Sequence, residues 1–338
     1  MLHKEFGVDG PSVRLLCPHR TSVITLQRRK EKKMKTKVLL ITAVLGLSLF
    51  ATPAHAAGEK TLVIIDSGIN MQLPWAKAAV VEEACFVDFG SCSNNLSSMI
   101  GPGAATLDPA LVKDKAMSHG TQMASAAVAT NPNVKIVFIR IVSMSAKGFA
   151  NTYTTRAVSK AMDWVTANAE RLNVGAVSIS IGRVYKEAAC PVLAEPKLQS
   201  QIVGLAAINI PTVISAGNNS DKNKINYPAC IPEAIAVGAT DTPYAMKEVT
   251  GWVYPIMLIS NSGPDLDLYA LGRATTADVQ GNTTVTLGTS NATVVVATRL
   301  AQSLSDGSTL GVVMDRVKAS LQTAYRTLTN FELKFYQT

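Results

Sequence analysis

Short apolar runs rich in β-branched residues alternate along this chain with segments of helical periodicity. The first run, Thr61 to Ile65, has no polar alternation, so a strand formed by it would be apolar on both faces. Such strands are typical of the centre of a parallel sheet that helices cover. The runs interpreted as strands are 61–65, 134–142, 174–181, 211–215 and 234–237, and the segments interpreted as helices are 152–171, 196–208, 290–303 and 310–328. This order predicts an α/β fold with a doubly wound, mostly parallel sheet and helices on both faces.

The N-terminal part has the features of an export signal. A short basic stretch at 34–37 is followed by an apolar run of 14 residues at 38–51 and by a small-x-small sequence at 54–56. This pattern predicts a secretory signal peptide at 34–56 that is removed on export. The apolar run is shorter than the roughly 20 residues that span a bilayer, so we expect no stable membrane span after cleavage. Residues 1–33 are interpreted as an extension upstream of the true start, with a long targeting extension as the alternative.

The remaining chain, residues 58–338, is expected to be one globular domain, because no repeat or linker interrupts it. Hydrophobic residues make up 47% of the sequence and charged residues 17%, which indicates a large core rather than disorder. Residues 1–56 carry ten Lys or Arg and three Asp or Glu, so most of the net charge of +8 belongs to the leader. The charge therefore gives no indication of a nucleic-acid partner.

Four cysteines follow the leader: Cys85, Cys92, Cys190 and Cys230. An even count in an exported chain favours two disulfides. Cys85 and Cys92 are close enough in sequence to close a small loop, which leaves Cys190 and Cys230 to join two loops. Three pairings satisfy the count, and free buried thiols are the alternative. The spacings do not form the C-x-x-C pairs of a zinc site, and we predict no metal there.

Once the leader is set aside, His119 is the only histidine of the chain. Asp66 opens an upstream Asp-Ser-Gly triplet, Asn218 closes a downstream Ala-Gly-Asn triplet, and Ser290 closes a later Gly-Thr-Ser triplet. Taken singly, these motifs fit a turn, a loop and a helix cap. Together, the order Asp, His, Ser is one of those in which the triad of serine hydrolases occurs. Asp66 and Asn218 each follow a predicted strand, so both are expected at the carboxyl edge of the sheet, where α/β folds bind ligands.

These motifs and their flanks resemble the subtilisin-like serine proteases. The segments similar to the aspartate, histidine, oxyanion and nucleophile segments of that family are 64–69, 119–124, 215–218 and 288–292. Weaker similarity at 178–182, 227–239 and 261–264 extends the resemblance over nearly all of 59–326. The resemblance implies a subtilisin-like fold and a secreted or periplasmic serine endopeptidase that acts on peptide or protein substrates without a cofactor. We expect a monomer.

The resemblance also assigns roles to individual residues. Ser290 would attack the scissile carbonyl, His119 would take its proton and pass it to the leaving amine, and Asp66 would hold the imidazole. Asn218 and the backbone N–H of Ser290 would form the oxyanion hole. In the family, an extended substrate lies along the segments that match 178–182 and 215–217. The residues that this places in the substrate cleft are Ser180, Gly182, Ala216 and Gly217.

The chain departs from the family pattern in several places. Nine residues separate the predicted cleavage site from Asp66, so we expect no prodomain there, and a separate folding partner or inhibitor stays open. Gln122 and Ser125 replace a second His and a Gly of the histidine helix, and Arg183 stands where a second Gly is common. No proline follows the nucleophile closely, and the family's calcium loop has no counterpart, so no bound metal is predicted.

These departures support one alternative, an inactive subtilisin-like fold that binds peptide or protein without cutting it. An unrelated hydrolase of esters or glycans is disfavoured, because we identify neither a G-x-S-x-G elbow nor a carboxylate pair.

Overall fold

The computed structural model describes residues 59–187, 189–241, 246–248, 251–253 and 256–315. The strands are β1 (Thr61–Asp66), β2 (Val80–Phe86), β3 (Ser98–Ile100), β4 (Lys135–Arg140), β5 (Val174–Ile179), β6 (Thr212–Ser215), β7 (Ile235–Thr240), β8 (Met246–Glu248), β9 (Gly251–Val253), β10 (Leu268–Leu271), β11 (Arg273–Ala277) and β12 (Thr283–Leu287). The α-helices are α1 (Pro74–Ala79), α2 (Lys115–Thr130), α3 (Thr155–Asn168), α4 (Pro196–Ala207) and α5 (Thr289–Leu304), and a short 3-10 helix, Val192–Ala194, precedes α4.

Eight of these strands form one sheet in the order β10-β7-β6-β5-β1-β4-β2-β3. Neighbouring strands run parallel except for the edge strand β3, which is antiparallel to β2. After β4 the chain crosses β1 and adds β5, β6, β7 and β10 on the other side. The predicted doubly wound, mostly parallel sheet is therefore confirmed. The reversal leaves a crevice at the carboxyl ends of β1 and β5, the position at which such sheets bind ligands.

The central strand β1 is apolar at its four inner positions because helices cover both faces of the sheet. Val63 and Ile65 are buried in one cluster with the inner faces of α3 and α4. Leu62 and Ile64 point to the opposite face and are buried in a second cluster with α2 and α5. Successive side chains of a strand alternate between faces, so a strand enclosed on both sides needs an apolar residue at every position.

Most predicted elements are confirmed to within a few residues at their ends. The strands predicted from the apolar runs correspond to β1, β4, β5, β6 and β7, and three of the predicted helices correspond to α3, α4 and α5. Of the helix predicted at 310–328, residues 310–315 are helical and the rest lies outside the described residues. The extension predicted at 1–33 and the signal peptide predicted at 34–56 also lie outside them. In the part of the chain that the structure describes, no helix is long and apolar enough to cross a membrane.

Two disulfides join Cys85 to Cys92 and Cys190 to Cys230, as the sequence favoured. The first closes a loop between β2 and β3, with a sequence separation of 7. The second has a sequence separation of 40 and ties the segment after β5 to the segment after β6.

Candidate active site

Asp66 and His119 form a hydrogen-bonded pair at the carboxyl end of β1. The Asp66 carboxylate is fully buried, and its two oxygens lie 2.8 Å and 3.0 Å from His119 Nδ1. The same carboxylate accepts the Ser67 backbone N–H at 2.6 Å. Because a carboxylate accepts and does not donate, Nδ1 carries the proton, which leaves Nε2 of the neutral ring as a base. The His119 side chain is 30% exposed, so its free edge reaches solvent.

His119 lies in the second turn of α2 rather than at its start. The helix begins earlier because Asp114 caps it: Asp114 Oδ1 accepts the Ala116 backbone N–H at 2.9 Å. An N-cap carboxylate satisfies one of the N–H groups that a helix start leaves unpaired. Helical residues therefore precede His119 as well as follow it, so the backbone that carries the imidazole is held from both directions.

Ser67 and Gly120 dock α2 on the end of β1. Ser67 Oγ accepts the Gly120 N–H at 3.0 Å and donates to the Met117 carbonyl at 3.2 Å. A Cβ atom at position 120 would clash with the carbonyl of Gly68 and lie 2.8 Å from Phe138 Cζ. Only glycine permits this approach of helix to strand, which holds the imidazole against Asp66.

Two opposing effects act on the pKa of His119. Burial lowers the pKa by disfavouring the charged ring, whereas the negative charge of Asp66 and its hydrogen bond raise it. The net result is a pKa above the usual 6.5. The pair therefore favours a protonated imidazole, the species that must form when a base has taken up a proton.

Ser290 is the second residue of α5, across the cavity from β1. Ser290 Oγ donates to the Ser180 carbonyl at 3.4 Å, and Ser180 Oγ donates to the Ser290 carbonyl at 3.1 Å. Within the described residues, no hydrogen bond joins Ser290 Oγ to the His119 ring. Both side chains nevertheless line one cavity of about 630 Å³.

The Asn218 side chain is oriented by Thr289, a residue to which the sequence analysis gave no role. Asn218 Oδ1 accepts both the Thr289 backbone N–H at 2.9 Å and the Thr289 hydroxyl at 3.1 Å. Because a backbone N–H can only donate, these contacts fix which amide atom is oxygen. Thr289 Oγ1 also accepts the Gly217 N–H at 3.3 Å. A Cβ on Gly288 would lie 2.9 Å from Asn218 Nδ2, so that glycine makes room for the amide.

The structure places most of the predicted cleft residues on the cavity wall. Those that line the cavity together with Asp66, His119, Asn218 and Ser290 are Ser180, Gly182 and Gly217. Ala216 is the exception, since it is fully buried and does not line the cavity. Its N–H donates to the Val237 carbonyl and its own carbonyl accepts the Asn226 N–H, so its backbone belongs to the interior.

Tyr153 and Arg183 also shape the cleft. The Tyr153 hydroxyl donates to the Gly182 carbonyl at 2.6 Å, and burial, with the charge of Asp66, raises its pKa to about 12. Beyond Gly182 a second recess of about 410 Å³ shares Tyr153 and Gly182 with the first cavity. Arg183 lines this recess, with its guanidinium 4.9 Å from the centre of the Tyr227 ring and Nη2 3.4 Å from Glu195 Oε1.

Among the described residues, no group of three or more His, Cys, Asp or Glu side chains is arranged to hold a metal ion.

The chain is similar to known proteins in both sequence and fold. The sequence model of the subtilase family (Peptidase S8) matches residues 58–336. Subtilisin DY from Bacillus licheniformis is 26% identical over 260 residues, which cover 74% of this chain and 84% of that protein. Subtilisin-like protease 3 from Pseudogymnoascus destructans is 26% identical over 234 residues, which cover 67% of this chain and only 47% of that protein. The crystal structure of a cold-adapted subtilisin-like serine proteinase superimposes with a TM-score of 0.57 at 22% identity, covering 84% of this chain and 90% of that one.

Proposed function

This chain belongs to the subtilase family of serine peptidases, and we propose on that premise that it is an exported serine endopeptidase. The observation that carries the proposal is the Asp66–His119 hydrogen bond at 2.8 Å, on the wall of a cavity that also exposes Ser290 and Asn218. These are the side chains that acyl transfer to a serine requires: a nucleophile, a base, a group that orients the base, and an oxyanion donor.

In the proposed reaction, Ser290 Oγ attacks the carbonyl carbon of the scissile peptide bond. Its proton passes to Nε2 of His119, the nitrogen left free by the hydrogen bond of Nδ1 to Asp66. The imidazolium then gives this proton to the nitrogen of the leaving amine, and the C–N bond breaks. Water repeats the sequence on the acyl-enzyme and releases the acid. Before attack, Ser290 Oγ must leave the Ser180 carbonyl and turn towards Nε2.

Asn218 Nδ2 and the backbone N–H of Ser290 are the proposed oxyanion donors. Thr289 holds the amide oxygen of Asn218, so the amide nitrogen is the atom left for a ligand. The first N–H groups of a helix have no intrahelical partner and lie at the positive end of its dipole. Such donors cost no reorganisation when charge develops on the carbonyl oxygen, and they therefore lower the barrier.

The substrate would lie extended between the cavity walls formed by 180–182 and by Ser215 and Gly217. Tyr153 supports the first wall through its hydrogen bond to the Gly182 carbonyl. Because the pKa of Tyr153 is raised to about 12, its hydroxyl stays protonated at neutral pH and continues to donate this hydrogen bond.

Export is supported by the predicted signal peptide at 34–56 and by the two disulfides. Disulfides persist in oxidising compartments such as the periplasm and the extracellular space.

One observation favours the second candidate, a subtilisin-like fold that binds peptides without cleaving them. Ser290 Oγ is hydrogen-bonded to Ser180 and not to the base, and a serine held in that position would be inert.

The test is the intact mass of the purified protein after treatment with a fluorophosphonate, together with hydrolysis of a protein substrate such as casein. The parent and a Ser200→Ala control, which changes an exposed serine on α4, should each gain one adduct and cleave casein. Ser290→Ala should gain none and cleave nothing. An unlabelled, folded parent that still binds peptide would instead support the non-cleaving candidate.

A further inference from the structure

Three asparagines beside Asn218 form a connected cluster of carboxamides. Asn219 and Asn226 line the cavity that contains Ser290, and Asn261 is buried behind them, with 1% of its surface exposed. The proposed mechanism uses none of the three. Their contacts fix the orientation of each amide group in turn, beginning from the backbone.

Asn261 is oriented first, by main-chain groups at both ends of its amide. Its Oδ1 accepts the backbone N–H groups of Asn219 at 2.9 Å and Asp221 at 3.1 Å. Its Nδ2 lies 3.2 Å from the Ala216 carbonyl, which only accepts. A flipped amide would place donor against donor at one end and acceptor against acceptor at the other, so the assignment is unique.

The orientation of Asn261 fixes those of Asn219 and Asn226. Asn261 Nδ2 faces Asn226 Oδ1 at 3.2 Å and Asn219 Oδ1 at 3.4 Å. Asn226 Nδ2 donates to Asn219 Oδ1 at 2.9 Å. Asn219 therefore turns its oxygen to the cluster, and its Nδ2 makes no hydrogen bond within the described residues. Asn226 Oδ1 accepts one bond of the two that an amide oxygen can take.

The two cavity-lining amides lie where the side chain of the attacked residue would fit. Asn219 follows the proposed oxyanion donor Asn218 directly in sequence. Gly217 forms the wall on this side, and a Cβ on Gly217 would clash with the Asn226 carboxamide, so that carboxamide packs directly on the wall. A substrate whose carbonyl oxygen met Asn218 would place the side chain of the same residue against the part of the cavity that Asn219 and Asn226 line, a recess distinct from the one that Arg183 lines.

The recess offers hydrogen bonds but no charge to pair with. Among the described residues that line the cavity there is no lysine, arginine or glutamate, and its one aspartate, Asp66, is bonded to His119, which must be neutral to act as the base. A substrate lysine or arginine would meet the N–H groups of Asn219 without a carboxylate to neutralise it. A substrate carboxylate would give up its hydration without a cation nearby.

We propose that Asn219 and Asn226, oriented by Asn261, select a substrate residue with a side-chain carboxamide at the position whose carbonyl is attacked. Glutamine or asparagine would accept a hydrogen bond from Asn219 Nδ2 and donate one to Asn226 Oδ1. A carboxamide therefore satisfies both of the groups that the cluster leaves available. This specificity rests on the proposed peptidase function and extends it to a class of substrate.

The test uses peptides that differ only in the residue before the scissile bond: glutamine, methionine, glutamate or lysine. Methionine matches glutamine in length and cannot form both hydrogen bonds. We expect the parent to cleave the glutamine peptide with a kcat/KM about 5- to 150-fold above the methionine peptide, the range for two neutral hydrogen bonds. Mass spectrometry of the products verifies which bond is cut.

Asn219→Asp reverses the polarity of the recess while keeping an oxygen for Asn226 and Asn261. We expect this variant to gain about 10-fold for lysine relative to glutamine, because a carboxylate now faces the side chain. Asn223→Asp is the matched control, since it makes the same exchange at an exposed position that does not line the cavity. It should keep the preferences of the parent.

Fluorophosphonate titration counts the active molecules in each preparation, so a poorly folded variant is not mistaken for one with altered specificity. If the parent cleaves the methionine or lysine peptide as efficiently as the glutamine peptide, the inference is overturned and the peptidase proposal stays intact. The inference is also overturned if Asn219→Asp changes kcat/KM for all four peptides by the same factor. A parent that takes no fluorophosphonate and cleaves no peptide refutes the proposed function itself.

Discussion

Thr289→Val tests whether the side chain that orients Asn218 matters for catalysis. Thr289 is fully buried, and valine has nearly the same shape, so the exchange removes a hydroxyl without opening a cavity. Two contacts are lost: the donation of the hydroxyl to Asn218 Oδ1 at 3.1 Å and its acceptance of the Gly217 N–H at 3.3 Å.

The expected loss of folding stability follows from these two contacts. Loss of the first removes a neutral hydrogen bond, which stabilises by about 0.5–1.5 kcal/mol, and loss of the second leaves a buried N–H unpaired, at about 1–3 kcal/mol. We therefore expect the free energy of unfolding of Thr289→Val to fall by about 1.5–4.5 kcal/mol. Thr289→Ser is the matched control, because it keeps both contacts and loses one buried methyl, at about 0.8 kcal/mol.

The catalytic effect should appear in kcat. Asn218 is proposed to bind charge that develops only in the transition state, so a less well held amide should lower kcat about 10- to 100-fold and leave KM nearly unchanged. The assay measures kcat and KM on one peptide for the parent, Thr289→Val and Thr289→Ser, and repeats the valine exchange in an Asn218→Ala background. If valine lowers kcat as strongly without Asn218 as with it, Thr289 does not act through that amide and the reasoning fails.

Two further predictions concern the catalytic pair and the longer disulfide loop. Asp66→Asn should lower kcat by about 10³–10⁴-fold, because the new amide would force the His119 proton onto Nε2. It should also move the acid limb of the kcat/KM profile to lower pH, since burial, which lowers the His119 pKa, would no longer be opposed by the Asp66 charge; a limb that stays in place would contradict this. Replacing Cys190 and Cys230 by alanine should lower the free energy of unfolding by about 4 kcal/mol, against about 2 kcal/mol for the shorter loop, as measured by urea unfolding. Equal losses for the two disulfides would show that loop length does not determine their contribution.

The five contiguous strands at the centre of the sheet were predicted from their apolar runs, whereas the flanking strands β10, β2 and β3 were missed. Strand β2 was not predicted, because it contains Glu83, which the hydropathy pattern assigns to the surface. In the structure Glu83 is buried, and its carboxylate accepts the N–H groups of Gly103 and Ala105 and the hydroxyl of Thr106. Three hydrogen bonds from a neighbouring loop replace water around the carboxylate, and sequence alone does not show that such a loop will be present.

The site was predictable to the extent that its chemistry depends on residue type and order. Asp66 and His119 were identified by their motifs, and the structure brings them within hydrogen-bonding distance. Ala216 was assigned to the cleft because of its neighbours, yet its side chain faces the interior while Gly217 faces the cavity. The contact between Asn261 and Asn219 spans 42 positions of the chain, and neither residue belongs to a pattern that would pair them.

Two polar side chains of the proposed site, the Asp66 carboxylate and the Asn218 amide, each accept a hydrogen bond from a backbone N–H. The N–H of Ser67 holds the Asp66 carboxylate, and that of Thr289 holds the Asn218 amide. Ser290 Oγ is held less tightly, because the one hydrogen bond that it makes among the described residues, to the Ser180 carbonyl, is 3.4 Å long, beyond the usual range for O–H···O. A bond of that length adds little to the cost of turning the hydroxyl. The Ser290 hydroxyl is therefore the group that must move before attack, in a site whose proposed base and oxyanion donor are already oriented.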